Sequence, residues 1–128
     1  MTVICPYCKN PATLVTGDII YPHRQDLFHL FFWRCEDCDA YVGTHRDSRE
    51  HRPLGRLADA VLRRAKQDAH RAFDPLWQKG PRTRQEAYQW LAHQLGIKFH
   101  QCHIGEFDAN MCRKVVRACV AVEEGDQE

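Results

Sequence analysis

The chain has 128 residues, enough for one domain or for a small module with a helical body. Its apolar fraction of 44% and charged fraction of 27% are those of a globular protein, and it has no apolar run long enough to span a bilayer. The net charge of +1 excludes a uniformly basic or acidic surface, yet residues 46–84 carry eleven Lys or Arg against five Asp or Glu, between acidic flanks of three against five and four against seven. A basic centre of this kind points to a face for a polyanion.

The first predicted element is a zinc ribbon over residues 1–46. It is framed by Cys5-Pro6-Tyr7-Cys8 and Cys35-Glu36-Asp37-Cys38, two Cys-x-x-Cys pairs separated by 26 residues. Each pair is tight enough for both sulfurs to reach one ion, and four sulfurs select zinc, or iron in a rubredoxin-like arrangement. Four protein ligands leave no open position for a substrate, so the expectation is one structural Zn²⁺ per chain, held by Cys5, Cys8, Cys35 and Cys38, with no chemistry at the ion. Disulfides or a redox pair are the alternatives. The chain begins at Met1 without an apolar leader, which predicts a reducing cytoplasmic setting where such pairs bind metal. A thioredoxin-like motif would need one pair in a βαβ unit, whereas here two lie in a β-like segment.

Within the ribbon, Ala12 to Val15 and Ile19 to Tyr21 are β-prone runs around a Thr16-Gly17-Asp18 turn. Leu27 to Trp33 is apolar and aromatic and leads into the second cysteine pair, and Ala40 to Thr44 makes one more strand. A segment this short buries too little surface to fold alone, and the metal makes up the deficit. The run Phe28 to Trp33 predicts one side packed on the rest of the protein, or else an exposed aromatic platform for bases.

Residues 47–53 form an Arg-rich connector, and a helical body of three helices is expected over 54–122. The first helix runs from about Leu54 to Phe73, with Leu57, Ala58, Val61, Leu62, Ala65, Ala69, Ala72 and Phe73 on one half of the wheel. Arg56, Arg63, Arg64, Gln67, His70 and Arg71 fall on the other. That basic face is either solvated and self-paired or in contact with a polyanion. Thr83-Arg84-Gln85-Glu86 is a capping box opening a second helix to Leu95, with Gly96 as its stop. A third helix starts after Asp108, its stripe being Met111, Cys112, Val115, Val116, Cys119 and Val120. Residues 123–128 are acidic, free of apolar residues, and expected to be disordered.

Cys112 and Cys119 sit about 10 Å apart along that helix, too far for a disulfide, and read as small apolar core residues. A second metal site from His100, Cys102, His103 and Cys112 is imaginable, but its spacing matches no usual pattern.

The strings Cys5-Pro6-Tyr7-Cys8, Cys35 to His45, Pro53 to Asp59, Phe73 to Trp77, Thr83 to Gly96 and Cys102 to Phe107 with Cys112 resemble a family of small phage and prophage zinc-finger-containing proteins. The resemblance covers about residues 3–120. It implies a zinc site at the four cysteines and a mobile-element origin, and it supplies no reaction.

The fold expectation is therefore α+β, an N-terminal ribbon with a small antiparallel sheet packed against a three-helix C-terminal body. The functional expectation is a non-enzymatic binding module. It would contact nucleic acid, or a protein of a nucleoprotein complex, through Arg46, Arg49, Arg52, Arg56, Arg63, Arg64 and Arg71, since arginine forks match phosphate oxygens. A protein-interaction module acting on a host or phage complex is the alternative. A His-Asn-His-like nuclease built on His51 fits less well, because its histidine stretch follows both cysteine pairs instead of lying between them. No membrane and no small-molecule substrate are implied, and no catalytic residue stands out.

Overall fold

Three short strands organise the first sixty residues: β1 (Thr13–Thr16), β2 (Phe31–Cys35) and β3 (Ala40–Gly43). In this computed structural model, which describes residues 1–125, they form one antiparallel sheet in the order β1-β2-β3. The register sets Trp33 opposite Leu14 on one side and Val42 on the other.

Side chains alternate across β2. On one face Trp33 and Cys35 join Cys5, Ala40 and Leu57 in a buried cluster, flanked by Val3, Cys8, Ala12, Leu14, Cys38 and Val42. On the other face Phe32 meets Tyr21 and Tyr41 edge-on, at 5.7 and 6.2 Å between ring centroids. Phe32 and Trp33 of the aromatic run are thus taken up by the two faces of the ribbon's own sheet, while Phe31, the first residue of β2, is exposed at 36%.

Two expectations change here. The β1–β2 connection is no tight hairpin, because residues 17–20 form a short helix, α1 (Gly17–Ile20), instead of a turn and strand. Gly17 is fully enclosed, and a Cβ at this position would collide with the Leu27 carbonyl. Its glycine is thus required by close backbone approach.

The second change is at the helix start. Leu54, Leu57 and Ala58 belong to the ribbon, not to a helix. Leu54 N–H donates to the Gly43 carbonyl at 2.9 Å, and Ala58 and Tyr41 exchange both backbone bonds at 2.9 and 3.2 Å. Leu57 is 1% exposed in the ribbon's core. The helix α2 therefore spans Ala60–Phe73, and the chain divides into compact units at Ala60 and Val61. Residues 47–53 accordingly lie inside the first unit.

That segment is a wired loop. His45 N–H donates to the Arg52 carbonyl at 2.9 Å, and Ser48 Oγ accepts from Arg52 N–H at 3.0 Å. The Trp33 indole N–H donates to the His51 carbonyl at 2.6 Å. His51 takes a left-handed backbone conformation, with φ of 55°, and its ring stacks on Phe31 at 4.2 Å.

The second unit holds α2, a single-turn α3 (Pro75–Gln78), α4 (Arg84–Leu95) and α5 (Ala109–Gly125). Leu62, Ala65, Ala69 and Phe73 of α2 are buried as the periodicity predicts, whereas Val61 is 60% exposed. The capping box is present in full, since Glu86 N–H donates to Thr83 Oγ1 at 3.1 Å and Thr83 N–H to Glu86 Oε1 at 2.9 Å. Gly96 ends α4 in the left-handed conformation, φ 69°. Asp108 caps α5 by accepting the Met111 N–H at 2.8 Å. Residues 123–125 of the acidic tail, expected to be disordered, continue α5 to its end at Gly125, and residues 126–128 lie outside the described residues. Among those described, no helix is long and apolar enough to cross a membrane.

Candidate metal centre

The two Cys-x-x-Cys segments are the same turn used twice. Each ends in a residue with left-handed backbone immediately after its second cysteine, Lys9 at φ 66° and Asp39 at φ 50°. In the first, Lys9 N–H donates to the Cys5 carbonyl and Cys5 N–H to the Asn10 carbonyl, both at 2.9 Å. In the second, Asp39 N–H donates to the Glu36 carbonyl at 3.2 Å, and Cys35 pairs with Ala40 across the β2–β3 turn. An L-residue in that conformation costs about 1–2 kcal/mol, so its recurrence marks a geometry the fold enforces. The Tyr7 hydroxyl accepts the Asp59 N–H at 3.1 Å and so fastens the first turn to the last residues of the unit.

These turns bring the four sulfurs of Cys5, Cys8, Cys35 and Cys38 within 4.8 Å of one another. Cys8 Sγ and Cys35 Sγ are 3.6 Å apart, and all four thiols are free. Sulfurs bonded at about 2.3 Å to one central ion in a tetrahedron are separated by about 3.8 Å, so the donor set fits a single metal ion.

The electrostatics agree. The Asn10 backbone amide aimed at Cys8 draws its thiol down to about 7, while burial pushes Cys38 up to about 12, helped by hydrogen bonds to the sulfurs of Cys8, Cys35 and Cys5. At Cys35 the Cys38 amide pulls downward, but burial and the neighbouring sulfurs outweigh it and the thiol is raised. Four crowded thiolates repel one another, and a divalent cation offsets that repulsion as it displaces their protons.

No other group of three or more potential ligands clusters among the described residues. In particular His100, Cys102, His103 and Cys112 are not brought together: Cys102 and Cys112 are buried, while His100 and His103 are exposed. His70, Arg84, Tyr88, Phe99, Cys102 and His103 help to line a cavity of about 990 Å³ in the second unit. The ring of His51, the histidine of the nuclease alternative, is occupied by its stack on Phe31.

The predicted basic residues separate into two groups. Arg46, Arg49, Arg52 and Arg56 are exposed in the first unit. In the second, Arg64 and Arg71 share the carboxylate of Asp68 at 3.3 and 3.9 Å, and Arg63 is partly buried. Sequence reasoning missed His45 and Ser48, which line a cavity of about 390 Å³ with Arg46, Asp47 and Arg52. The turn-forming pair Asp47-Ser48 is the signal that could have found it.

Residues 1–122 match the family model described as a zinc-finger-containing domain. No curated protein matches the chain. No solved structure matches it either.

Proposed function

The chain belongs to the zinc-finger-containing domain family, and from that premise we propose that Cys5, Cys8, Cys35 and Cys38 hold one structural zinc ion and that the module so built binds nucleic acid without catalysing a reaction. The observation that carries the metal reading is the clustering of four free sulfurs at tetrahedral spacing. The ion, when bound, supplies cross-linking and charge neutralisation, and no open position for chemistry. The residues do the rest: the two turns fix the sulfurs, and burial of Cys5 and Cys35 keeps water from them.

Two basic surfaces are candidates for the nucleic acid, the loop bearing Arg46, Arg49 and Arg52 and the α2 face bearing Arg63, Arg64 and Arg71. Contacts of this kind neutralise phosphates and carry little sequence information, so binding is salt-sensitive and broadly specific. The protein-partner alternative rests on the aromatic run, whose Phe32 and Trp33 the ribbon's two sheet faces consume.

Elemental analysis of protein purified without chelator, joined to an electrophoretic shift assay across a salt series, tests both parts. One zinc per chain and a shift that fades as salt rises are expected. Iron in place of zinc overturns the metal identity, and a chain that shifts no nucleic acid at low salt overturns the partner.

A further inference from the structure

The loop over residues 45–53 combines three features. It is braced by the fold itself, through the His45–Arg52 and Ser48–Arg52 bonds and the Trp33 indole bond to His51. It borders an open cleft of about 390 Å³ lined by His45, Arg46, Asp47, Ser48 and Arg52. Beside it the Phe31 ring is stacked on His51 and exposed at 36%. Among the described residues no carboxylate forms a salt bridge with Arg46, Arg49 or Arg52, whereas Arg64 and Arg71 are held by Asp68.

We propose that this loop is the binding site for single-stranded nucleic acid, with a backbone phosphate in the cleft between Arg46 and Arg52 and an adjacent base stacked on the Phe31–His51 pair. The proposal rests on the nucleic-acid reading above and selects one of its two basic surfaces. An unpaired guanidinium meets a phosphate without first giving up a carboxylate, and its planar fork matches two phosphate oxygens. Asp47 in the lining disfavours a doubly charged free phosphate more than a singly charged diester. A duplex keeps its bases inside its own stack, so only a single strand offers a base to Phe31. The ordering cost of the loop is met by the fold, which leaves more of the contact energy for affinity.

Fluorescence anisotropy with the full zinc-loaded chain tests this. The probes are a labelled oligothymidylate of about fifteen nucleotides and a duplex of equal length, each titrated over a salt series. The single strand binds roughly tenfold tighter than the duplex. Arg46→Glu with Arg52→Glu weakens single-strand binding at least tenfold and flattens the salt dependence by between one and two in log–log slope. Phe31→Leu loses roughly tenfold with the slope unchanged, and Phe31→Tyr restores it. The charge-matched pair Arg113→Glu with Arg117→Glu binds like the unaltered chain. Both loop arginines are exposed, so the effect of reversing them does not depend on how Phe31 variants pack. Equal affinity for duplex, or normal binding by the loop variants with loss in Arg64→Glu plus Arg71→Glu, overturns the inference and leaves the nucleic-acid reading standing. No binding of either probe, or binding of polyglutamate in their place, overturns both.

Discussion

The two units of this chain solve the problem of small size differently. In the ribbon, the buried cluster is Trp33 and Leu57 with one alanine and two cysteines, and half of its flanking residues are small. In the helical unit, Phe73, Leu91, Ile104, Val115, Cys112 and Cys119 are all enclosed, with Phe73 packed on Tyr88 at 4.6 Å. The second unit has the larger set of fully enclosed apolar side chains. The comparison teaches that the cysteines are the ribbon's substitute for side-chain volume, and that the two units should respond to opposite insults.

The strongest way to break the comparison is to deprive the four cysteines of the metal ion proposed for them. Structural zinc contributes on the order of 10–16 kcal/mol at neutral pH. Chelation, or Cys35→Ser, is expected to erase amide protection across β1, β2 and β3 while α2, α4 and α5 keep theirs. Uniform loss of protection, or none, would contradict it, and hydrogen exchange read by NMR distinguishes the cases. The converse change is Phe73→Ala, which empties a fully buried aromatic site at a cost of about 3–5 kcal/mol. It should lower the helical melting transition and leave the metal content at its original stoichiometry. The smallest effect sharpens the picture within the helical unit. Thr83→Ala removes the α4 cap, worth about 1 kcal/mol, and should reduce stability by that amount in urea titration. The Thr83 backbone amide holds the Glu86 carboxyl below its ordinary range. A carboxylate with a lowered folded-state pKa adds stability that is complete above its unfolded value and is lost as pH falls through its folded value. The Glu86 part of the cap should therefore fade only in acid, and Glu86→Gln should flatten that part of the acid titration.

What can be read from the sequence is local. Cys5, Cys8, Cys35 and Cys38 announce their partnership because a two-residue spacing fixes two sulfurs side by side. Thr83, Glu86 and Gly96 announce the ends of α4 because capping is decided within one turn. What cannot be read is pairing at a distance. Leu57 and Ala58 fit a helical stripe, yet Ala58 bonds to Tyr41 and Leu57 fills the ribbon's interior, and periodicity carries no trace of either. Ile19 and Ile20 have the β-branched chemistry of a strand, but they lie in a helical turn that starts at Gly17, where the Leu27 carbonyl leaves no room for a Cβ, a long-range approach that local propensity does not register. The Arg-rich stretch reads as a spacer because its order depends on an indole eighteen residues upstream.

Trp33 and Cys35 point to the same side of β2 and share one buried cluster, while the indole of Trp33 also grips the His51 carbonyl. The sulfur cluster and the arginine-bearing loop thus share one side chain, so a change that displaces Trp33 reaches both.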